Sequence, residues 1–300
     1  MANHNSHLAI INAGIVTPHE TVHNGALEIK DGVIRAIGDS GDPYFHSGAI
    51  ETVVDAEGDW LVPGFIDIHV HGGNGDDFVE ADPEGMRRIA RFHAGHGTTG
   101  LLVTTYSVAY EQLEQTLELA YRMLDSQELH ARVLGVHMEG PFLNPAWAGA
   151  QNPRYIVPPR LDWMRDWTAR YPGLVRMMTL APEMPGSLEL IRWLREHAIV
   201  CACGHTGASY DRLMEAIDAG LSHAVHTYNA MLGLHHRQPG ALGAVLTNPD
   251  VSAEIIADGQ HVHPACIKLL LQSKPADKVI LITDAIAAAG YPDGEFVVGG

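Results

Sequence analysis

His69 and His71 stand two apart in PGFIDIHVHGG, and four more groups able to bind cations or move protons follow them. These are Glu139 in VLGVHMEGPF, His205 in VCACGHTG, His226 in HAVHTYNAM and Asp284 in VILITDAI. Each lies at the end of an apolar, strand-like run. Carboxylates and imidazoles are costly to bury unless paired or bound to a cation, so their recurrence where apolar strands stop predicts strand ends converging on a metal. The chemistry this predicts is metal-dependent hydrolysis. An HxH on a strand turns two imidazoles to one side, a pair suited to a first-row divalent ion. Alone the motif is weak, the alternative being a solvated pair at a strand end. Alongside Glu139, His205, His226 and Asp284, each ending its own strand, metal binding is the favoured reading.

These groups need strands to position them, and the sequence supplies eight candidates. They are FIDIHVHG from 65, TGLLVTTY from 99, RVLGVHMEG from 132, LVRMMTLAP from 174, AIVCACGH from 198, SHAVHTY from 222, VSAEIIADG from 251 and KVILITDA from 278. Stretches between them, such as YEQLEQTLELAYRMLDSQ and ASYDRLMEAIDAG, carry helical apolar spacing. Near-continuous apolar strands alternating with helices predict a parallel sheet covered on both faces. Eight such units predict an α/β fold of the (β/α)8 TIM-barrel type with its active site at the C-terminal strand ends. Alternation along a strand would turn Asp67, His69 and His71 into the barrel and Ile66, Ile68 and Val70 onto the helices. The same parity would put Cys201, Cys203 and His205 on one face.

Residues 8–62 read differently, as short β-rich runs broken by Gly, Asp and Pro, with Asp31-Gly32 as a hairpin signal. The expected division is a small β domain over 1–62, part of a β-sandwich, and a barrel over 63–300. The eighth strand is followed by GEFVVGG with no further helix. The expectation is therefore a sequence truncated relative to a longer parent, with the sandwich incomplete.

Three hundred residues at 46% hydrophobic content suffice for a sizeable core. A net charge of −17 argues against nucleic acid or an anionic membrane surface as partner. It leaves room for a small anion, since a metal and local cations can reverse the sign within a pocket. No apolar run approaches bilayer length and the N-terminus lacks a signal pattern, which predicts a soluble cytoplasmic protein. Three cysteines are too few for a disulfide framework, and Cys201 and Cys203 read as packed core thiols in preference to metal ligands. The nineteen histidines cannot all be functional, and their number alone decides nothing.

PGFIDIHVHG resembles the first strand of the amidohydrolase superfamily. HMEGPFLNPAWAGAQNP, GHTGASYD, HTYNAMLGLHHRQPG, IADGQHVHP and ITDAIAAAG, in that order, narrow the resemblance to the N-acetylglucosamine-6-phosphate deacetylase family over residues 8–300. The resemblance implies removal of acetate from an amino-sugar phosphate, in amino-sugar catabolism or recycling. It implies a principal metal site at Glu139, His205 and His226. His69 and His71 would belong to a second metal, with Glu139 and Asp284 near both. One or two divalent ions per subunit (Zn, Fe, Mn or Co) are expected. Asp284 would be the general acid/base. Asn229 and Ala230 would contact the sugar phosphate, and His261 the substrate. Ala150 and Gln151 match a substrate loop in which several relatives carry His at the second position. Gln151 can bind but cannot act as an acid. Arg237 resembles an arginine that reaches a neighbouring subunit's phosphate, which implies a homodimer or a dimer-based oligomer.

Other groups read more plainly. His137 and Asp67 are core residues or supports, His235 and His236 are exposed, and His93 and His96 lie on solvated surface near a helix end. Two alternatives stay open, a deacetylase for the galactosamine epimer and a catalytically silent sugar-phosphate-binding scaffold. Dihydroorotase-like or hydantoinase-like chemistry is disfavoured, because Glu139 stands where those relatives carry a modified lysine.

Overall fold

Alternating burial along HLAIINAGIV makes a strand whose two faces each carry apolar side chains. The computed structural model describes residues 7–124, 126 and 128–295 and divides into two units, Met1–Gly64 and Phe65–Gly300. In the first unit that strand, β1 (His7–Val16), pairs antiparallel with β2 (Thr21–Lys30), and β2 with β3 (Val33–Asp39). Two short strands, β4 (Thr52–Asp55) and β5 (Trp60–Leu61), lie parallel to β1. The turn between β2 and β3 has Asp31 and Gly32 both left-handed, at φ 56° and 73°. That is the mirror-image turn whose twist suits a two-residue hairpin. The unit is thus one mixed five-stranded sheet. Ala9, Ile11 and Ala26 pack under Phe45, and Ala13, Ile15 and Leu27 form a second cluster.

The second unit contains all eight expected strands. They are β6 (Phe65–Val70), β9 (Thr98–Thr104), β10 (Arg132–Glu139), β11 (Val175–Leu180), β12 (Val200–Cys203), β13 (His223–Ala224), β14 (Ser252–Ile256) and β15 (Val279–Ile282). A hairpin of β7 (Gly72–Gly73) and β8 (Asp76–Asp77) follows β6. Every neighbouring pair from β6 round to β15 is parallel, in chain order. Helices α1 (Pro83–Ala94), α2 (Tyr110–Met123), α3 (Leu161–Arg170), α4 (Ser187–Glu196), α5 (Tyr210–Ala219), α6 (Gly240–Thr247) and α7 (Pro264–Ser273) fill the connections. Among the described residues no helix follows β15, and none is long and apolar enough to cross a membrane.

Local physics explains the helices the spacing predicted. In α2, Leu113, Leu117 and Ala120 recur on one face and are fully buried. In α5, the Ser209 hydroxyl accepts from the Arg212 N–H, capping a first turn whose N–H groups otherwise lack partners. The helices pack onto one continuous core, and a separate cluster free of helix residues fills the barrel interior. Leu102, Met177, Ala202 and Val225 form it, with Ile68 and Leu134 packed against them.

That interior cluster corrects the predicted parity at two places. Ile68 belongs to the barrel interior and not to the helix layer, because the register with β9 slips between Asp67 and Val70 and strict alternation fails there. Cys201 and Cys203 pack with the helix-side core while Ala202 faces inward. Strand β12 ends at Cys203, and the chain turns before His205, so that imidazole is not on the cysteines' face. Both thiols are packed core groups, and burial pushes Cys203 up to about 12.

Candidate active site

Glu139 ends β10 as a buried side chain, and the other candidate ligands meet around it. Its Oε1 lies 3.2 Å from His69 Nε2, 3.2 Å from His205 Nε2 and 2.9 Å from His226 Nε2. Its Oε2 lies 3.4 Å from His71 Nε2. Asp284 completes the set, with Oδ1 at 3.4 Å from His69 Nε2 and 3.2 Å from His71 Nε2. The six residues singled out in the sequence therefore occupy one place. Within it, His69–His71–Asp284 and His69–Glu139–His226 each have ligand atoms within 4.8 Å of one another. The Nε2 atoms of His205 and His226 also approach to 3.1 Å.

Three of these groups reach the centre through an unusual backbone. His205, His226 and Asp284 have φ of 47°, 28° and 51°. The left-handed region is costly for most side chains and is visited by single residues where surrounding structure enforces it. Each of the three follows the end of its strand, and the left-handed turn swings the side chain across the barrel mouth.

The cluster is built for positive charge. Burial alone would lower the pKa of His71, yet Asp284 and Glu139 hold it up at about 9. His69 is likewise raised well above its ordinary value, against burial, by Asp284, Glu139 and Glu254. Glu139 and Asp284 stay well below the carboxylate range despite burial, because imidazoles crowd them. His69 Nε2 is buried among carboxylate oxygens and has no hydrogen-bond partner among the described residues. Buried carboxylate and imidazole atoms converging in this way make a donor set suited to a first-row divalent ion.

Supporting residues surround the ligands, and several carried no signal that pattern reading used. Glu254 is fully buried on β14, with Oε2 2.8 Å from His69 Nδ1 and Oε1 2.9 Å from His223 Nε2. A lone acid inside the apolar run VSAEII was the available clue. Tyr106 stacks on His71 with ring centroids 4.0 Å apart. His137 is buried between the Ile68 carbonyl and the Thr179 hydroxyl, and burial together with the charge of His69 lowers it to about 3. Asp67 supports the backbone of β6, accepting from the His69 main-chain N–H at 3.2 Å, and takes the Thr283 hydroxyl at 2.5 Å. His93 is not solvated as expected. It is buried, with Nε2 2.9 Å from the Gly72 carbonyl, because the β7–β8 hairpin packs over α1. His96, His235 and His236 are exposed.

A cavity of about 400 Å³ opens over Glu139, His205, His226 and Asp284. Ala150, Gln151, Asn229, Ala230 and His261 also line it. Asn229 Nδ2 is buried there without a partner among the described residues, a donor free to meet a ligand. His261 bonds through Nδ1 to Asp258 Oδ2 at 2.7 Å, which leaves Nε2 available. Asp258 also accepts from the Gln260 and His261 main-chain N–H groups and so shapes the loop. Gln151 is more committed than a loop contact suggests. Its amide donates to Glu139 Oε2 at 2.6 Å, and its carbonyl accepts from the Ser107 N–H at 2.6 Å. Arg237 lies outside this lining. It sits on an exposed loop and donates to His236 Nε2 at 2.8 Å.

Comparison with known proteins accords with this geometry. A family model described as the amidohydrolase family matches residues 60–294. The chain is 38% identical to N-acetylglucosamine-6-phosphate deacetylase of Bacillus subtilis, over 98% of this chain and 74% of that protein. It is 35% identical to an N-acetylgalactosamine-6-phosphate deacetylase of Escherichia coli, over 95% of this chain and 73% of that one. Among solved structures, N-acetyl-D-glucosamine-6-phosphate deacetylase from Mycobacterium smegmatis superposes with a TM-score of 0.89 at 32% identity. That match covers 98% of this chain and 75% of the other.

Proposed function

The chain belongs to the amidohydrolase family, as an enzyme of the N-acetylglucosamine-6-phosphate deacetylase type, and from that premise we propose that it hydrolyses N-acetylglucosamine 6-phosphate to glucosamine 6-phosphate and acetate. The observation that carries the reading is the convergence of three imidazole Nε2 atoms on one oxygen of Glu139 beneath an open cavity.

Glu139, His205 and His226 would hold the principal divalent ion, and His69 and His71 a second one, with Glu139 and Asp284 beside both. When bound there, such an ion lowers the pKa of a coordinated water towards about 7 and polarises a carbonyl. Asp284 takes the proton of the attacking water and delivers it to the amine nitrogen as the carbon–nitrogen bond breaks, leaving acetate. Its side chain is 22% exposed while the histidines beside it are buried, so it can face both groups. An aspartate is ionised at neutral pH, the basic form that the first transfer requires. Gln151 orients Glu139 through Oε2, the oxygen that His71 also approaches. Asn229 presents a donor to the sugar phosphate, and His261, whose Nδ1 proton is given to Asp258, offers Nε2 to the substrate as an acceptor.

Among the described residues lining the cavity there is neither Lys nor Arg. The phosphate therefore needs a cation from elsewhere, and Arg237 of a second copy suits the need. Its loop is exposed and carries Leu234, an apolar side chain 57% exposed, as a contact. In this reading the working enzyme is a homodimer or a dimer-based oligomer.

The galactosamine epimer is a second reading, favoured by the Escherichia coli relative. The deciding experiment is acetate release by purified protein from the 6-phosphates of N-acetylglucosamine and N-acetylgalactosamine and from unphosphorylated N-acetylglucosamine, with metal content measured on the same sample. Fast, phosphate-dependent release with gluco preference is the expected result. Galacto preference would transfer the assignment to the epimer, and no release from folded, metal-loaded protein would end the deacetylase reading.

A further inference from the structure

Glu254 sits in the middle of β14 between Ala253, Ile255 and Ile256, all of them buried. A carboxylate so placed is retained only if its charge is compensated. Three donors surround it. Oε2 accepts from His69 Nδ1 at 2.8 Å and from the His226 main-chain N–H at 3.2 Å, and Oε1 accepts from His223 Nε2 at 2.9 Å. An ionised carboxylate only accepts, so the proton on this side of His69 resides on Nδ1. The ring is thereby oriented with Nε2 towards Glu139 Oε1 and Asp284 Oδ1, at 3.2 and 3.4 Å. His71 is held differently. Among the described residues its Nδ1 has no hydrogen-bond partner, and its ring is fixed by stacking on Tyr106.

We infer that Glu254 is a positioning residue that commits His69 to metal ligation through Nε2 and so secures a cation of its own in the half-site of His69, His71 and Asp284. The inference rests on the metal-dependent reading above. A carboxylate behind a ligand imidazole fixes its tautomer and raises its basicity, and loss of such a partner typically lowers metal affinity about 10–100-fold. His223 anchors the carboxylate on the side away from the site and needs no contact with substrate.

The test compares wild type with Glu254→Gln and Glu254→Asp. Each is prepared metal-free and titrated with Co(II) against a competing chelator, following stoichiometry and the visible spectrum, with thermal melting measured on the metal-free proteins. Gln keeps the shape, and its carbonyl can still accept from His69 and His226, so the variant retains the fold. The expected result is two Co(II) per wild-type chain. In Glu254→Gln one ion binds as before, the other binds about 10–100-fold more weakly with an altered spectrum, and Glu254→Asp, which keeps the charge, recovers part of the loss. Unchanged affinity and spectrum in Glu254→Gln, even with a lower melting temperature, would reduce Glu254 to a structural charge and overturn the inference. Equal weakening of both ions would overturn it too, as would uptake of a single Co(II) by wild type. Wild type that binds no Co(II) and releases no acetate would instead defeat the deacetylase reading itself.

Discussion

The main-chain N–H of Asp284 donates to the carbonyl of His69 at 2.9 Å, joining the last barrel strand to the first at the site itself. The Ala285 carbonyl accepts from His71 and Gly72 just beyond, at 2.8 and 2.9 Å. The regular ladder runs from β6 round to β15 and is not continued between those two strands among the described residues. Single main-chain bonds, with the Asp67–Thr283 contact below them, hold this seam. The proposed acid/base and the histidine pair are thus fixed relative to each other by backbone, and not by side-chain packing alone.

Asp284→Asn preserves the shape of the seam but removes the proton acceptor. Turnover should fall by about 10²–10⁴-fold, while the ion held by Glu139, His205 and His226 remains. Steady-state kinetics alongside metal analysis checks this, and substantial residual turnover would remove Asp284 from proton transfer.

Arg237→Ala should raise KM for the phosphorylated sugar well above its effect on kcat. If the arginine serves a neighbouring site, mixing Arg237→Ala with Asp284→Asn subunits should regenerate some complete sites. Activity recovered after subunit exchange, beyond the sum of the separate variants, is the expected outcome. No recovery in verified mixed oligomers would discard the shared pocket.

Cation affinity should depend on pH in a defined direction. His71 is held at about 9 in the metal-free chain against an ordinary 6.5. Its protonated form contributes stability that is fully present below 6.5 and is lost as pH rises through about 9. A divalent ion must displace that proton, so apparent affinity should climb about tenfold per pH unit for each proton released and level off above the folded pKa. The metal-free melting temperature should fall over the same window. Chelator-buffered titrations at three pH values measure the slope, and a flat profile would contradict the assignment.

Thiol reactivity should separate the cysteines. Cys201 and Cys203 are buried with raised pKa, whereas Cys266 is part-exposed. Alkylation of native protein at pH 8 should label Cys266 and leave the other two until unfolding. Rapid labelling of all three would contradict the packing of β12.

Much of this was legible beforehand because burial selects residue type. The eight apolar runs became the eight strands, and Glu139, His205 and Asp284 were conspicuous because charge at the end of an apolar strand demands a reason. What escaped was set by backbone irregularity and by contacts distant in sequence. Ile68 faces the interior because a register slip intervenes, and no local pattern announces a slip. The cysteines and His205 part company because the chain leaves strand geometry between them. Glu254 stood in plain view in VSAEII, but its partner His69 lies on the opposite end of the barrel sequence. His93 was read as surface because a hairpin not foreseen covers it.

The left-handed backbone at His205, His226 and Asp284 restricts the vocabulary with which this centre can be rewritten. Asn, Asp and His are the non-glycine residues that visit that conformation most readily, and they include the types that ligate cations or carry protons. Exchanging one of these three for Glu, Cys or a β-branched residue alters the ligand and strains the main chain together. Loss of function from such a change cannot be assigned to chemistry alone. Asparagine is the replacement that leaves the backbone preference intact, so a scan of these positions with Asn isolates what the side chain contributes.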